Sequence, residues 1–321
     1  MQRTIHSTFT RAMTTAPSKL EMLVLGSGPS TSVPSIRCLL TNPTCTVCPE
    51  AQANPASRNR RGNPSLFVKH EGVHILIDCG KTFRESVLRC LPQHNVHPVD
   101  AVVLTHGHAD ACFGLDDLRD VQRKASTSTP SLEALPIHCS HRTRAEIEGK
   151  FDYLFASSPA PTTALWTAKL QWCEFADMDT FVVRDRVSVR ALPVWHGRDY
   201  IANGFEFGGE IGRRVVYISD VSAIPDETMA YLHAGAAIDV LFIDALHLDQ
   251  RHGTHMNLPE ALAAIRALQP TKTFLVGMGH SFDYAVHQAS LREMADGIDV
   301  EMAYDGLAIT LEEEARERDL M

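Results

Sequence analysis

Short apolar runs that end abruptly on an aspartate or a histidine recur along this chain, and they constrain its fold more than any other feature. ILI closes on Asp78, AVVLT is followed by His106, His108 and Asp110, LPVW by His196, VVYIS by Asp220, and FLVGMG by His280. Runs that are almost continuously apolar over about 4–8 residues are the pattern of strands covered on both faces. Their polar ends all lie on the carboxyl side, where open α/β sheets place their sites.

The pattern predicts strands over Glu21–Leu25, Leu66–Lys69, Val73–Ile77, Ala101–Leu104, Ser188–Val194, Arg214–Ser219, Val240–Ile243, Thr273–Val276 and Leu307–Leu311. Helical spacing predicts helices over Lys81–Leu91, Leu115–Arg123, Thr143–Lys150, Pro259–Leu268 and Tyr284–Ala295, with Pro259 where a first turn tolerates proline. Strands interspersed with helices imply a layered α/β protein. Lys124–Ser131 and Ala156–Thr163, rich in Ser, Thr and Pro, read as surface loops. The domain expectation is a leader over residues 1–19 and one catalytic domain over residues 20–321.

The 321 residues suffice to bury a large core, and the charge of −9, from 30 basic and 39 acidic residues, argues against a broad nucleic-acid surface. No apolar run reaches the ~18–20 residues of a membrane span. The first twenty residues hold Arg3, Arg11 and Lys19, no acid, and many Ser and Thr. That composition is shared by disordered leaders and mitochondrial targeting segments, so the expectation is a cytoplasmic protein with mitochondrial delivery as the alternative. Five cysteines are scattered, while Cys38, Cys45 and Cys48 cluster. Without a secretory signal, this usage points to a reducing compartment.

Histidine and aspartate are the donor types for Zn²⁺ or Mn²⁺. In THGHAD, alternate residues of an extended segment point the same way, so His106 and His108 can serve one ion while Asp110 turns toward a second. A lone histidine at a strand end is commonly structural; the joint occurrence of five such ends is what points to a metal centre. Cys38-x6-Cys45-x2-Cys48 offers three thiolates, and its C-x2-C end has zinc-knuckle spacing, with free loop cysteines as the alternative.

His106-Gly107-His108-Ala109-Asp110, with Asp78 before it and His196, Asp220 and His280 after it, resembles the H-x-H-x-D-H hallmark of the metallo-β-lactamase superfamily. The resemblance runs from about residue 20 to about residue 311. GSGPSTSVP, the cysteine cluster and RNRRGNPSL resemble its cyclic-phosphodiesterase branch, to which the carbon–phosphorus lyase accessory phosphodiesterase belongs. LPVWHG, VVYISDVSAIP, GMGHSFDY and AYDGLAI resemble a eukaryotic and fungal group of hydrolases near that branch.

The resemblance implies a four-layer αββα sandwich. It implies that His106, His108 and His196 hold one ion, that Asp110 and His280 hold a second with Asp220 bridging, and that Asp78 orients the motif. Where the family has a second-ion histidine after Asp110, this chain has Ala111. The second ion then binds more weakly, is absent, or takes a substitute donor from Asp283, His247, His252 or His255. In the phosphodiesterase branch a histidine completes the cysteine site; its counterpart here is Asp283, which implies a Cys3Asp zinc site. Thr254-His255 matches the branch's proton-donor segment, with a packing histidine as the alternative.

These expectations combine into a metal-dependent phosphodiesterase acting on a small phosphodiester, cyclic ones included. One or two Zn²⁺ or Mn²⁺ ions activate water for attack, Asp110 and Asp220 position it, and His255 protonates the leaving oxygen. Arg58, Arg60 and Arg61 either approach a phosphate or form a solvated loop, with the loop favoured. A homodimer is compatible with the sequence. The alternatives are an RNA 3′-processing endonuclease of the same superfamily and a non-catalytic metal-binding protein with an incomplete second site.

Overall fold

A computed structural model describes residues 18–94, 98–125, 132–155 and 167–313. Residues 1–17 of the expected leader, the predicted loop Ala156–Thr163 and most of Lys124–Ser131 lie outside the described residues, while Lys19, placed in the leader, opens β1. The strands, in chain order, are β1 (Lys19–Gly26), β2 (Ser65–His70), β3 (Val73–Ile77), β4 (Ala101–Val103), β5 (Leu135–Ser140), β6 (Leu170–Phe175), β7 (Thr180–Val183), β8 (Val187–Trp195), β9 (Ile201–Phe207), β10 (Val215–Ile218), β11 (Val240–Asp244), β12 (Lys272–Val276), β13 (Val300–Met302) and β14 (Ala308–Glu312). The helices are α1 (Ile36–Thr41), α2 (Val47–Ala53), α3 (Phe83–Cys90), α4 (Ala109–Cys112), α5 (His141–Glu148), α6 (Asp226–Ala234), α7 (Leu258–Leu268), α8 (Tyr284–His287) and α9 (Leu291–Met294).

The strands form two seven-stranded sheets, ordered β14-β1-β2-β3-β4-β5-β6 and β13-β12-β11-β10-β9-β8-β7. Alternation along β1 shows how the layers arise. Leu20, Met22 and Val24 enter the core between the sheets, where they join Val189, Phe205 and Tyr217. Leu23 and Leu25 point the other way, to a second core with Phe83, Leu115 and Ile147 from the outer helical layer. On the far side, Leu258, Leu262 and Ile265 of α7 pack against the second sheet. The result is the four-layer αββα arrangement that the resemblance implied.

Strand direction is what positions the site. β3 and β4 are parallel. β8 and β10 each run antiparallel to β9, and β10, β11 and β12 are parallel to one another. The carboxyl ends of β8, β10, β11 and β12 therefore lie at one edge of their sheet. A hydrogen bond from Asn203 N to Thr105 O (2.9 Å) joins the two sheets beside the end of β4.

All nine predicted strands are present. The unpredicted strands are β5, β6, β7, β9 and β13; of these, β5, β6 and β9 have mixed sequences: LPIHCS holds a proline, IANGFEF a glycine and asparagine, and LQWCEF is a half-exposed edge strand. Tertiary pairing, not local apolar content, makes them strands. Leu115–Asp120 is a 3-10 helix where an α-helix was predicted. The predicted helix Tyr284–Ala295 is broken into α8 and α9. Helix α7 matches closely, because Asn257 and Glu260 form a reciprocal capping box at its start.

Phe205 is fully buried between the sheets. Its replacement by alanine should cost about 3–5 kcal/mol in equilibrium urea unfolding. A loss below about 1 kcal/mol would show that the inter-sheet core is not a principal source of stability.

Candidate metal centre

The centre begins at the end of β3. Asp78 turns the chain with a left-handed φ of 60°, and its carboxylate accepts hydrogen bonds from Thr105 N (2.8 Å) and Thr105 Oγ1 (2.7 Å). Because the hydroxyl proton of Thr105 goes to Asp78, the same oxygen accepts from Nδ1–H of His106 (2.8 Å). The Nε2 lone pair of His106 is thereby left facing inward, fully buried and without a hydrogen-bond partner. His196 is fixed in the same sense, since its Nδ1 donates to the Thr254 carbonyl (2.9 Å). Backbone acceptors and carboxylates behind a ring are what set the tautomer of a ligating histidine.

His106, His108 and His196 converge. Their ring centroids are 4.6, 5.0 and 5.2 Å apart, and one nitrogen from each lies within 4.8 Å of the others. Burial lowers the pKa of all three, that of His106 to about 3, so they present lone pairs at neutral pH. Two further donor groups overlap this one: His106–Asp110–Asp220 and His196–Asp220–His255. Burial pushes Asp220 up, but the neighbouring His106, His255 and His196 more than offset it and its pKa falls. Asp110 is raised to about 6 by burial and by the charge of Asp220.

Whether a divalent ion suits this place can be judged from the polar atoms it would meet. His106 Nε2 and Asp220 Oδ1 are buried and unpartnered. Each such group ordinarily costs about 1–3 kcal/mol. A cation at the meeting point of the donors would satisfy both, and the nitrogen-and-carboxylate set fits Zn²⁺ or Mn²⁺.

The structure places His255 beside His196 and Asp220. Its Nδ1 lies 2.7 Å from Oδ2 of fully buried Asp244. Burial opposes charge on the His255 ring, yet the Asp244 carboxylate raises its pKa to about 9. Asp244 itself was not singled out from the sequence, although VLFID carries the same signal of an apolar run closed by an aspartate. Tyr200 was also missed, and no sequence pattern marks it. Its ring stacks on His108 (4.6 Å, 21°), and its hydroxyl donates to Glu146 (2.9 Å) while accepting from Gly107 N (3.2 Å).

His280 is placed elsewhere. Its Nδ1 lies 3.4 Å from Cys38 Sγ and 3.5 Å from Cys45 Sγ, and these residues form a four-donor group with Cys48. The expectation had His280 beside Asp110 and gave Asp283 to the cysteines. Instead Asp283 caps α8 through Ala285 N (3.0 Å) and accepts from Asn59 Nδ2 (3.3 Å). The turn after β12 explains the change. Hydrogen bonds from Met278 N to Ser27 O and from Gly279 N to Leu246 O swing His280 toward the N-terminal loop.

The RNRR stretch offers no free arginine triad. Arg61 is buried and donates to the carbonyls of Gly279 and Phe282, so it clamps the turn that carries His280. Arg58 packs between the rings of Tyr284 and Tyr304. His252 lies 5.4 Å from His255 in ring centroids and His247 lies beyond it; neither belongs to a donor group among the described residues.

The sequence matches a family described as Beta-lactamase superfamily domain over residues 74–278. It is 28% identical to an octanoyltransferase from Porphyromonas gingivalis over 294 residues, 92% of this chain and 52% of that protein. The chain thus spans about half the length of that relative. A Ribonuclease Z from Metallosphaera sedula is 38% identical over 60 residues, 19% of this chain and 20% of its own. Among solved structures, a diphosphatase of the PhnP family superposes with a TM-score of 0.73 at 27% identity, covering 92% of this chain and 98% of its own.

If His280 completes a thiolate zinc site, protein loaded with zinc should lose that ion in His280→Ala, as it should in Cys48→Ala. Asp283→Ala should leave that zinc in place. Elemental analysis of the three variants decides it, and loss of zinc in Asp283→Ala with retention in His280→Ala would reverse the assignment.

Proposed function

This chain belongs to the β-lactamase superfamily, and from that premise we propose that it is a metal-dependent hydrolase of small phosphodiesters or diphosphates. The observation that carries the reading is the buried cradle of His106, His108 and His196 with an unpartnered Asp220 oxygen, set beside the Asp244–His255 pair. The diphosphatase of the PhnP family, similar over nearly the full length of both chains, supports phosphorus over lactam or acyl substrates. Fold alone would not choose among them.

The three histidines and Asp220 would hold Zn²⁺ or Mn²⁺, which supplies Lewis-acid polarisation of a phosphoryl oxygen and lowers the pKa of water from ~15.7 toward ~7. Asp110 and Asp220 orient the attacking water from the buried side. Asp244 holds the Nδ1 of His255, leaving the second ring nitrogen to give a proton to the departing oxygen. Tyr200 limits how His108 can turn, by stacking on its ring. Cys38, Cys45, Cys48 and His280 would hold a structural zinc that pins the N-terminal loop to the turn after β12.

The local likeness to Ribonuclease Z favours one second reading, cleavage of an RNA 3′ trailer. Against it stands the net charge of −9. Release of a pre-tRNA trailer, with no turnover of small phosphodiesters, would promote it.

Hydrolysis of bis(p-nitrophenyl) phosphate should fall by orders of magnitude in His108→Ala, and unchanged turnover would refute the assigned centre. His255→Ala should slow hydrolysis of an alkyl phosphodiester by about 10²–10⁴-fold, the usual range for losing a general acid. The same change should matter far less for the p-nitrophenyl ester, whose leaving group needs no proton. Equal losses on both substrates would remove His255 from the proton-donor role.

A further inference from the structure

We propose that the active centre takes one divalent ion, in the cradle of His106, His108 and His196, and that the Asp244–His255 pair fills the place where a second ion would sit. The proposal rests on the reading of this centre as a metal site and concerns how many ions it holds.

Three donor groups are present at the centre, but they are not independent. The group His106–Asp110–Asp220 shares His106 with the cradle, and His196–Asp220–His255 shares His196. Once the three histidines serve one ion, the second group retains only Asp110 and Asp220, and the third only Asp220 and His255. Two carboxylates with no nitrogen donor make a poor site for the ions that histidine sites select.

Every direction but one from which a further nitrogen could arrive is closed. The residue after Asp110 is Ala111, buried in α4 and unable to ligate. The end of β12 reaches the same region but carries Gly277, at φ 71°. A Cβ there would stand 2.2 Å from Asp244 Oδ1, so no side chain fits while Asp244 keeps its position. His280, three residues on, is turned away to the cysteines. From the remaining direction His255 does enter the centre; Asp244 holds its Nδ1 at 2.7 Å, and its second ring nitrogen is the one assigned to the departing oxygen, so the pair serves as proton donor in place of a ligand. The His255 ring stands 4.9 Å from that of His196 in ring centroids, and the two share a donor group with Asp220. Gly277 and Asp244–His255 are therefore sterically linked: the missing side chain makes room for the carboxylate that holds the imidazole.

The experiment uses the full chain, stripped with a chelator, given one equivalent of Zn²⁺ for the thiolate site and dialysed against Mn²⁺. Zinc and manganese are counted by elemental analysis, and the manganese is examined by electron paramagnetic resonance. One zinc and one manganese per chain, with the spectrum of an isolated ion, is expected. Two manganese ions per chain, or an exchange-coupled spectrum, would overturn the proposal. His108→Ala should lose the manganese and keep the zinc, which also reports that the variant is folded; retained manganese would place the ion outside the cradle and overturn it too. Phosphodiester turnover on the same sample separates the two claims. Activity with two manganese ions sinks the one-ion proposal and leaves the hydrolase reading, whereas one ion without activity does the opposite.

Discussion

The pair of hydrogen bonds from Thr105 to the Asp78 carboxylate is the contact on which the centre depends. It ties the ends of two parallel strands together in a buried place where an unpaired carboxylate would be costly. The same hydroxyl then fixes the tautomer of His106, and the carbonyl of Thr105 accepts the hydrogen bond from Asn203 that joins the second sheet. One residue thus links β3, β4 and β9 and aims a lone pair. The left-handed turn at Asp78 is unusual for a residue with a side chain, and it is held by this set of partners.

A second physical theme is competition for the few residues after β12. Gly277 leaves room for Asp244, and His280 serves the cysteines. Arg61 holds the turn between them through the carbonyls of Gly279 and Phe282. The thiolate cluster and the histidine cradle therefore share one turn of a few residues, which carries His280 to the cysteines and sets Gly277 against Asp244, the partner of His255. The basic stretch read from the sequence as a phosphate contact or solvated loop contributes to this support instead, because a buried guanidinium needs carbonyl acceptors and finds them there.

Much of the fold was legible because its central strands are covered on both faces and so are written as apolar runs, and the closing aspartate or histidine of each run marked the site edge. Asp78, His106, His108, His196 and Asp220 could be collected on that signal alone, and Asp244 carried it too. Strands β5, β6 and β9 were illegible because proline, glycine and polar residues dilute their pattern, and pairing with neighbours decides their state. Tyr200 and Glu146 were beyond reach, since their role depends on a ring stacking across the site from a different element.

The sequence by itself determined that strand ends bearing histidine and aspartate would meet at one edge of a layered α/β protein, and that three cysteines would lie close together. Periodicity and chain proximity are local properties, so a one-dimensional string can hold them. Only the tertiary structure decided which of two clusters His280 joins, that Asp283 caps a helix instead, and that Asp244 grips His255. Those outcomes turn on a few ångströms in the direction of one glycine-rich turn, and residue identity fixes the donors available without fixing where the backbone aims them.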